Sequence, residues 1–156
     1  MGQVLPCSLQ SLTFGRAFNQ SLEDADLPLG LETLTLGQRY NMCMDRVKLP
    51  SRLRELTFGE SFNWSLQQVT LPSTLQKLTV GDSFDQPLDG MTFPASLKSL
   101  IFGSNFNQPL EEVEFPSELV TLTFGDGFNQ SLDEVELPSG LRHLTFGNDF
   151  VQSLEP

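Results

Sequence analysis

The chain has 156 residues, 38% of them hydrophobic, and a formal net charge of −11 at neutral pH. The acidic balance argues against a nucleic-acid partner, because phosphate binding needs a basic surface. No stretch approaches the roughly 20 apolar residues that span a bilayer, so no membrane partner is expected.

The first residues, Met1-Gly2-Gln3-Val4-Leu5-Pro6, hold no basic segment followed by an apolar run and do not read as a signal peptide. Pro6 stands where a myristoylation signal carries Ser or Thr. Leu5-Pro6 is instead the first copy of a pair that recurs at 22-residue steps, at Pro28, Pro50, Pro72, Pro94, Pro116 and Pro138, with Phe93 and Phe115 in place of Leu in two copies. Seven glycines keep the same step: Gly15, Gly37, Gly59, Gly81, Gly103, Gly125 and Gly147. A period of this length is the mark of a solenoid, in which each coil packs only on its neighbours. The chain therefore reads as a single solenoid over 1–156, with coils at roughly 4–22, 23–44, 45–66, 67–88, 89–110, 111–132 and 133–156.

Within a coil, the first predicted element is a short strand of the form Leu-Thr-Phe, as at Leu12-Thr13-Phe14. Its in-out-in alternation gives it one buried face. The recurring Gly follows, where the chain turns sharply; it implies either positive φ or close backbone approach. At most a short 3₁₀ turn is expected there. A Phe-Asn-Gln-Ser/Pro-Leu block comes next. Its Asn column (Asn19, Asn41, Asn63, Asp85, Asn107, Asn129) is expected to form an internal polar ladder bonding the turn backbone of its own or the next coil. Val151 breaks that column in the last coil. A second strand is expected just before Leu-Pro, as at Val135-Glu136-Leu137, because Pro suits a strand end. All thirteen phenylalanines obey the register, so they are assigned to the core. The expected fold is mainly β: a leucine-rich-repeat-like solenoid of seven coils with stacked short parallel strands and little or no α-helix.

Coils two and three depart most from the common pattern. Tyr40, Met42, Cys43 and Met44 replace Phe, Gln, Ser/Pro and Leu, and Trp64 replaces Gln. Arg46, Lys48, Arg52 and Arg54 fall in the same stretch. Trp and Arg are enriched at binding hot spots, so Arg46, Lys48, Arg52, Arg54 and Trp64 form the candidate protein-binding set. Coils six and seven are acidic: residues 111–156 carry ten acids against Arg142 alone. Pairs such as Glu111-Glu112 and Asp133-Glu134 read as a solvated acidic face, since they lack the ligand spacing of a cation-binding loop. The opposed charges allow a basic middle to meet an acidic end, and neither terminal coil reads as a polar cap, so the alternative is a structural repeat protein that self-assembles through uncapped ends.

The motif Leu-Thr-Phe-Gly-x-x-Phe-Asn-Gln-Ser/Pro-Leu, preceded by Leu-Pro-x-x-Leu, resembles the FNIP repeat, a 22-residue relative of leucine-rich repeats. Residues 4–154 carry the resemblance; Phe106-Asn107-Gln108-Pro109-Leu110 and Phe128-Asn129-Gln130-Ser131-Leu132 stand nearest to the pattern, although no copy reads Phe-Asn-Ile-Pro. The resemblance implies a solenoid used for protein interaction and carries no catalytic motif.

The residues give the same functional reading. The single histidine, His143, lies in the outward, variable column Ser11, Thr33, Glu55, Lys77, Ser99, Thr121. That position reads as a surface residue and not as the base a nucleophile would need, so the chain reads as a non-enzymatic scaffold without cofactor or metal. The exposed Thr column (Thr13, Thr35, Thr57, Thr79, Thr123, Thr145, with Ile101 the exception) also resembles an ice-binding face. Such faces use two adjacent Thr columns, and the neighbouring column here is mixed. Cys7 and Cys43 occupy different positions in different coils, which speaks against a disulfide and suits a reducing compartment. The expected location is intracellular, in the cytoplasm.

Overall fold

A computed structural model describes residues 5–154; Val4 at the start of the first coil, and Glu155, lie outside them. Seven strands run through the described residues, one per coil: β1 (Ser11–Thr13), β2 (Thr33–Thr35), β3 (Glu55–Thr57), β4 (Lys77–Thr79), β5 (Ser99–Ile101), β6 (Thr121–Thr123) and β7 (His143–Thr145). They form one parallel sheet in sequence order. Each residue pairs with the one 22 positions on, as in Leu34↔Leu56 and Leu56↔Leu78. No α-helix occurs among the described residues.

The strands begin one residue earlier than the Leu-Thr-Phe pattern implies, although the ladder still reaches the Phe: Phe58 N–H donates to the Thr79 carbonyl at 2.9 Å. The expected second strand does not form. Its N–H groups turn back locally, with Val47 N–H on the Met44 carbonyl and Val69 N–H on the Leu66 carbonyl, both at 3.0 Å. The following Pro has no N–H to offer. The alternation still sorted the side chains correctly, since Val47, Val69, Met91 and Val113 are buried. What failed was the step from a buried side-chain pattern to a paired backbone.

The recurring Gly turns on a single i→i+3 bond, such as Tyr40 N–H to the Gly37 carbonyl at 2.9 Å. None of these glycines has positive φ; Gly90, outside the column, is the positive-φ glycine of the described residues, at 68°. Close approach is the reason for the column. A Cβ on Gly81 would run into the Gly59 carbonyl and lie 2.9 Å from Glu60 Cα in the preceding coil.

The core fills the coil interior. Leu31, Leu53, Leu75, Leu97 and Leu119 are fully buried, and so are Phe62, Phe84, Phe106 and Phe128. The rings of this Phe column stack at 6.0–6.3 Å between centroids from Phe18 to Phe150, Tyr40 included, within the range of offset stacking. Where a Phe follows the strand, it packs on the same column, as Phe102 does on Phe106 at 4.0 Å. Packing is looser in the first and last coils, where Leu12, Phe14, Leu144 and Phe150 are half-buried.

The Asn column forms its ladder between coils. Asn41 N–H donates to Asn19 Oδ1 (2.9 Å), and Asn129 N–H to Asn107 Oδ1 (2.9 Å). Asp85 takes its turn as acceptor from Asn107 N–H at 3.0 Å. The ladder is not internal, however. It runs along the surface, and no polar residue is buried in the core among the described residues. An Asn at the coil corner can satisfy the next N–H while its amide group stays in contact with water, which avoids the cost of burying it.

Candidate interaction surfaces

The strand alternation puts Leu12, Leu34, Leu56 and their equivalents inward and the residues on either side outward. The Thr column and the Ser11–His143 column therefore share the outer face of the sheet. Thr35, Thr57, Thr79 and Thr123 are half-buried along the middle of the stack, and Thr13 and Thr145 are exposed at its ends. His143 is exposed on β7.

The candidate set of coils two and three is divided around the coil. Arg46 and Trp64 line one recess of about 440 Å³ with Met42, Cys43, Asp45 and Glu23. Arg54 lies instead at the entry to β3, 3.8 Å from Glu32 of the preceding coil. Lys48 follows buried Val47, and Arg52 sits in the turn after Pro50; neither lines the recess. The recess comes from three departures in adjoining coils. In other coils the Gln after the Asn reaches back to the previous coil, as Gln130 Nε2 does to the Asn107 carbonyl at 3.0 Å. Trp64 fills that role with its indole, Nε1–H donating to the Asn41 carbonyl at 3.0 Å. Trp64 as a whole stays 47% exposed, which makes it an unusually large apolar surface in mid-stack. Where Ser21, Ser65 and Ser131 accept a turn N–H through Oγ, Cys43 places a free, exposed thiol. Arg46 pairs with Glu23 at 3.2 Å; both are solvent-accessible, so the pair contributes little to stability.

Tyr40 and Met44 lie behind this recess and belong to the core. Both are fully buried. Burial pushes the Tyr40 phenol up to about 12, with the adjacent Cys43 thiol adding to the shift.

A second recess, of about 500 Å³, lies on the side of the coil away from the sheet. Glu111, Glu112, Glu114 and Glu136 surround it, with Val113 and Phe115 beneath. No three His, Cys, Asp or Glu side chains converge to hold a metal among the described residues. The acidic face is thus a spread of separate carboxylates. No helix among the described residues is long and apolar enough to cross a membrane.

One strand per 22-residue coil, a stacked Leu/Phe interior and a polar ladder at the coil corner define a leucine-rich-repeat-like solenoid. The chain belongs to the FNIP repeat family: the FNIP Repeat model matches residues 2–39, 18–61, 40–83, 62–104, 84–127 and 128–156. Among solved structures it is similar to CroV588, described as a novel circular LRR protein, with 44% identity and a TM-score of 0.88 over 94% of this chain. This chain spans 22% of the length of that one. No curated protein matches the sequence.

Proposed function

We propose that the chain is a non-enzymatic scaffold that binds a partner protein, with the Trp64–Arg46 recess as its anchor point. The observation that carries this reading is the exposed indole. The common pattern at this position is Gln, which bonds the neighbouring coil and leaves little apolar surface. Trp64 keeps the bond and adds a rigid apolar ring beside Met42 and a guanidinium. Large aromatics and arginine in a recess are the chemistry of an interface hot spot. The test is affinity capture with wild-type and Trp64→Gln baits at equal loading. A partner retained by the first and lost by the second, with unchanged thermal stability, supports the reading. Identical partner sets on both baits contradict it.

The charge asymmetry favours a second reading, self-association in which the basic stretch around Arg46, Lys48, Arg52 and Arg54 of one chain meets the acidic coils six and seven of another. Light scattering across a dilution series separates the two readings, because a monomer at every concentration removes the second. Ice binding has less support, because Glu55, Lys77 and His143 interrupt the column beside the threonines. Absence of thermal hysteresis at high protein concentration would eliminate it.

A further inference from the structure

The sequence holds two Asp-Gly pairs, Asp89-Gly90 and Asp126-Gly127. In such a pair the main-chain nitrogen of Gly can approach the preceding carboxyl group closely, because Gly puts no side chain in the way. The solenoid treats the two pairs differently. Asp126-Gly127 is held at both reacting groups. Asp126 Oδ1 accepts from Asn148 N–H at 3.2 Å and from Asn148 Nδ2 at 2.7 Å. Gly127 N–H donates to the Ser104 carbonyl at 2.7 Å. The surroundings are also crowded, since a Cβ on Gly127 would lie 2.7 Å from that carbonyl oxygen. Asp89 and Gly90 are instead both exposed, in a turn closed by Met91 N–H on the Leu88 carbonyl at 2.9 Å. Gly90 has the positive φ that the third position of a type II turn requires, and nothing lies within 4 Å of a Cβ built on it. Neither the Asp89 carboxylate nor the Gly90 N–H has a partner among the described residues; the one bond here is to the Asp89 carbonyl, from Gln67 Nε2 at 3.0 Å.

We propose that Asp89-Gly90 is a site of spontaneous isomerisation to isoaspartate, and that the fold protects Asp126-Gly127 from the same reaction. The Gly90 nitrogen attacks Cγ of the protonated Asp89 carboxyl group. A C–N bond forms, and the carboxyl OH and the amide hydrogen leave together as water, giving a cyclic imide. Water then adds back at either imide carbonyl. Breaking the Cγ–N bond restores Asp. Breaking the bond from the nitrogen to the former main-chain carbonyl carbon leaves the chain running through Cγ, with the α-carboxylate free. The water released in the first step balances the water consumed in the second, so no oxidant, reductant or cofactor takes part. The attack needs a carboxyl group free to rotate and a nitrogen free of other bonds. Asp89-Gly90 offers both, whereas at Asp126-Gly127 the hydrogen bonds must open first, which adds to the barrier. The product lengthens the main chain by one methylene at the turn and displaces the carbonyl that Gln67 bonds. The reaction needs no partner and is independent of the scaffold reading.

The test incubates the full chain at neutral pH below its melting temperature, and in parallel in concentrated guanidinium chloride. Peptide mapping with an isoaspartyl methyltransferase then measures the product at each pair over time. In the folded chain, isoaspartate is expected to form about tenfold faster at Asp89 than at Asp126, since more than one hydrogen bond must open at the second. In guanidinium the two rates are expected to come within about twofold, because the protecting bonds are gone. Asp89→Glu, which keeps the charge at an exposed position, should abolish the product at that pair. Equal rates at the two pairs in the folded chain, or a difference of the same size in guanidinium, overturns the proposal.

Discussion

The Tyr40 hydroxyl donates to Met44 Sδ at 3.0 Å in the interior of the second coil. Every other described coil has Phe at the first of these positions and Leu at the second. The two departures are therefore one event. A buried hydroxyl needs an acceptor, and the thioether supplies it without a polar group that would itself need satisfying. Met44→Leu alone is expected to cost about 1–3 kcal/mol, because it leaves the phenol unsatisfied. Adding Tyr40→Phe should recover most of that loss. A double-mutant cycle in chemical denaturation checks the coupling; additive effects would mean that the bond contributes nothing.

The same phenol makes stability depend on pH at the alkaline end. Its folded value is raised to about 12 from an ordinary 10.0. Above pH 10 the unfolded chain releases the proton while the folded chain keeps it, so stability is full below pH 10 and falls as pH rises toward 12. The loss amounts to about 2 kcal/mol. Tyr40 is the single tyrosine, so phenolate absorbance reports it without ambiguity. Tyr40→Phe should remove this part of the pH dependence.

The glycine column makes a prediction that separates sterics from conformation. Gly81 lies against the Gly59 carbonyl of the preceding coil, whereas nothing lies within 4 Å of a Cβ built on Gly15. Gly81→Ala should destabilise by about 1–3 kcal/mol, since the obstruction is backbone and must shift. Gly15→Ala should stay within about 0.5 kcal/mol of wild type. Equal effects at the two positions, measured by urea unfolding, would show that crowding between coils is not the cause.

Asn107 Oδ1 accepts from Asn129 N–H at 2.9 Å and from Gln130 Nε2 at 3.1 Å. Asn107→Ala removes the acceptor of both bonds and is expected to cost about 1–3 kcal/mol. Asn107→Asp keeps an acceptor oxygen, as Asp85 already does one coil earlier, and should cost less. Amide hydrogen exchange at Asn129 gives the local readout, with faster exchange in the Ala variant than in the Asp variant.

Much of this fold is legible in the sequence because repetition magnifies weak signals. A single Leu-x-x-Leu-x-Phe is ambiguous, but seven copies in register, two of them with Leu36 and Val80 in place of Phe, assign the inward columns. The Asn ladder was legible for the same reason, although the spacing left open whether its own or the next coil's backbone is bonded, and the structure places the bond on the next coil. Its surface position was not, because spacing fixes which coil a side chain meets but not how deep it lies. The second strand misled because Val-x-Leu alternation describes side chains, whereas strand pairing depends on where the N–H groups go. At the candidate site, the departures at Met42, Cys43 and Trp64 were visible. That Trp64 keeps the Gln hydrogen bond was not, nor was the separation of Arg52 and Arg54 from Arg46 around the coil.

The central claim is that the common pattern builds the solenoid and that the departures around Trp64 bind the partner. The most direct test is a chain with Met42→Gln, Cys43→Ser and Trp64→Gln, which returns all three positions to the common pattern. Its melting temperature should stay within about 3 °C of wild type, a shift of about 1 kcal/mol or less, while capture of the partner is lost. A variant that still captures the partner, or one that melts far below wild type, would contradict the claim.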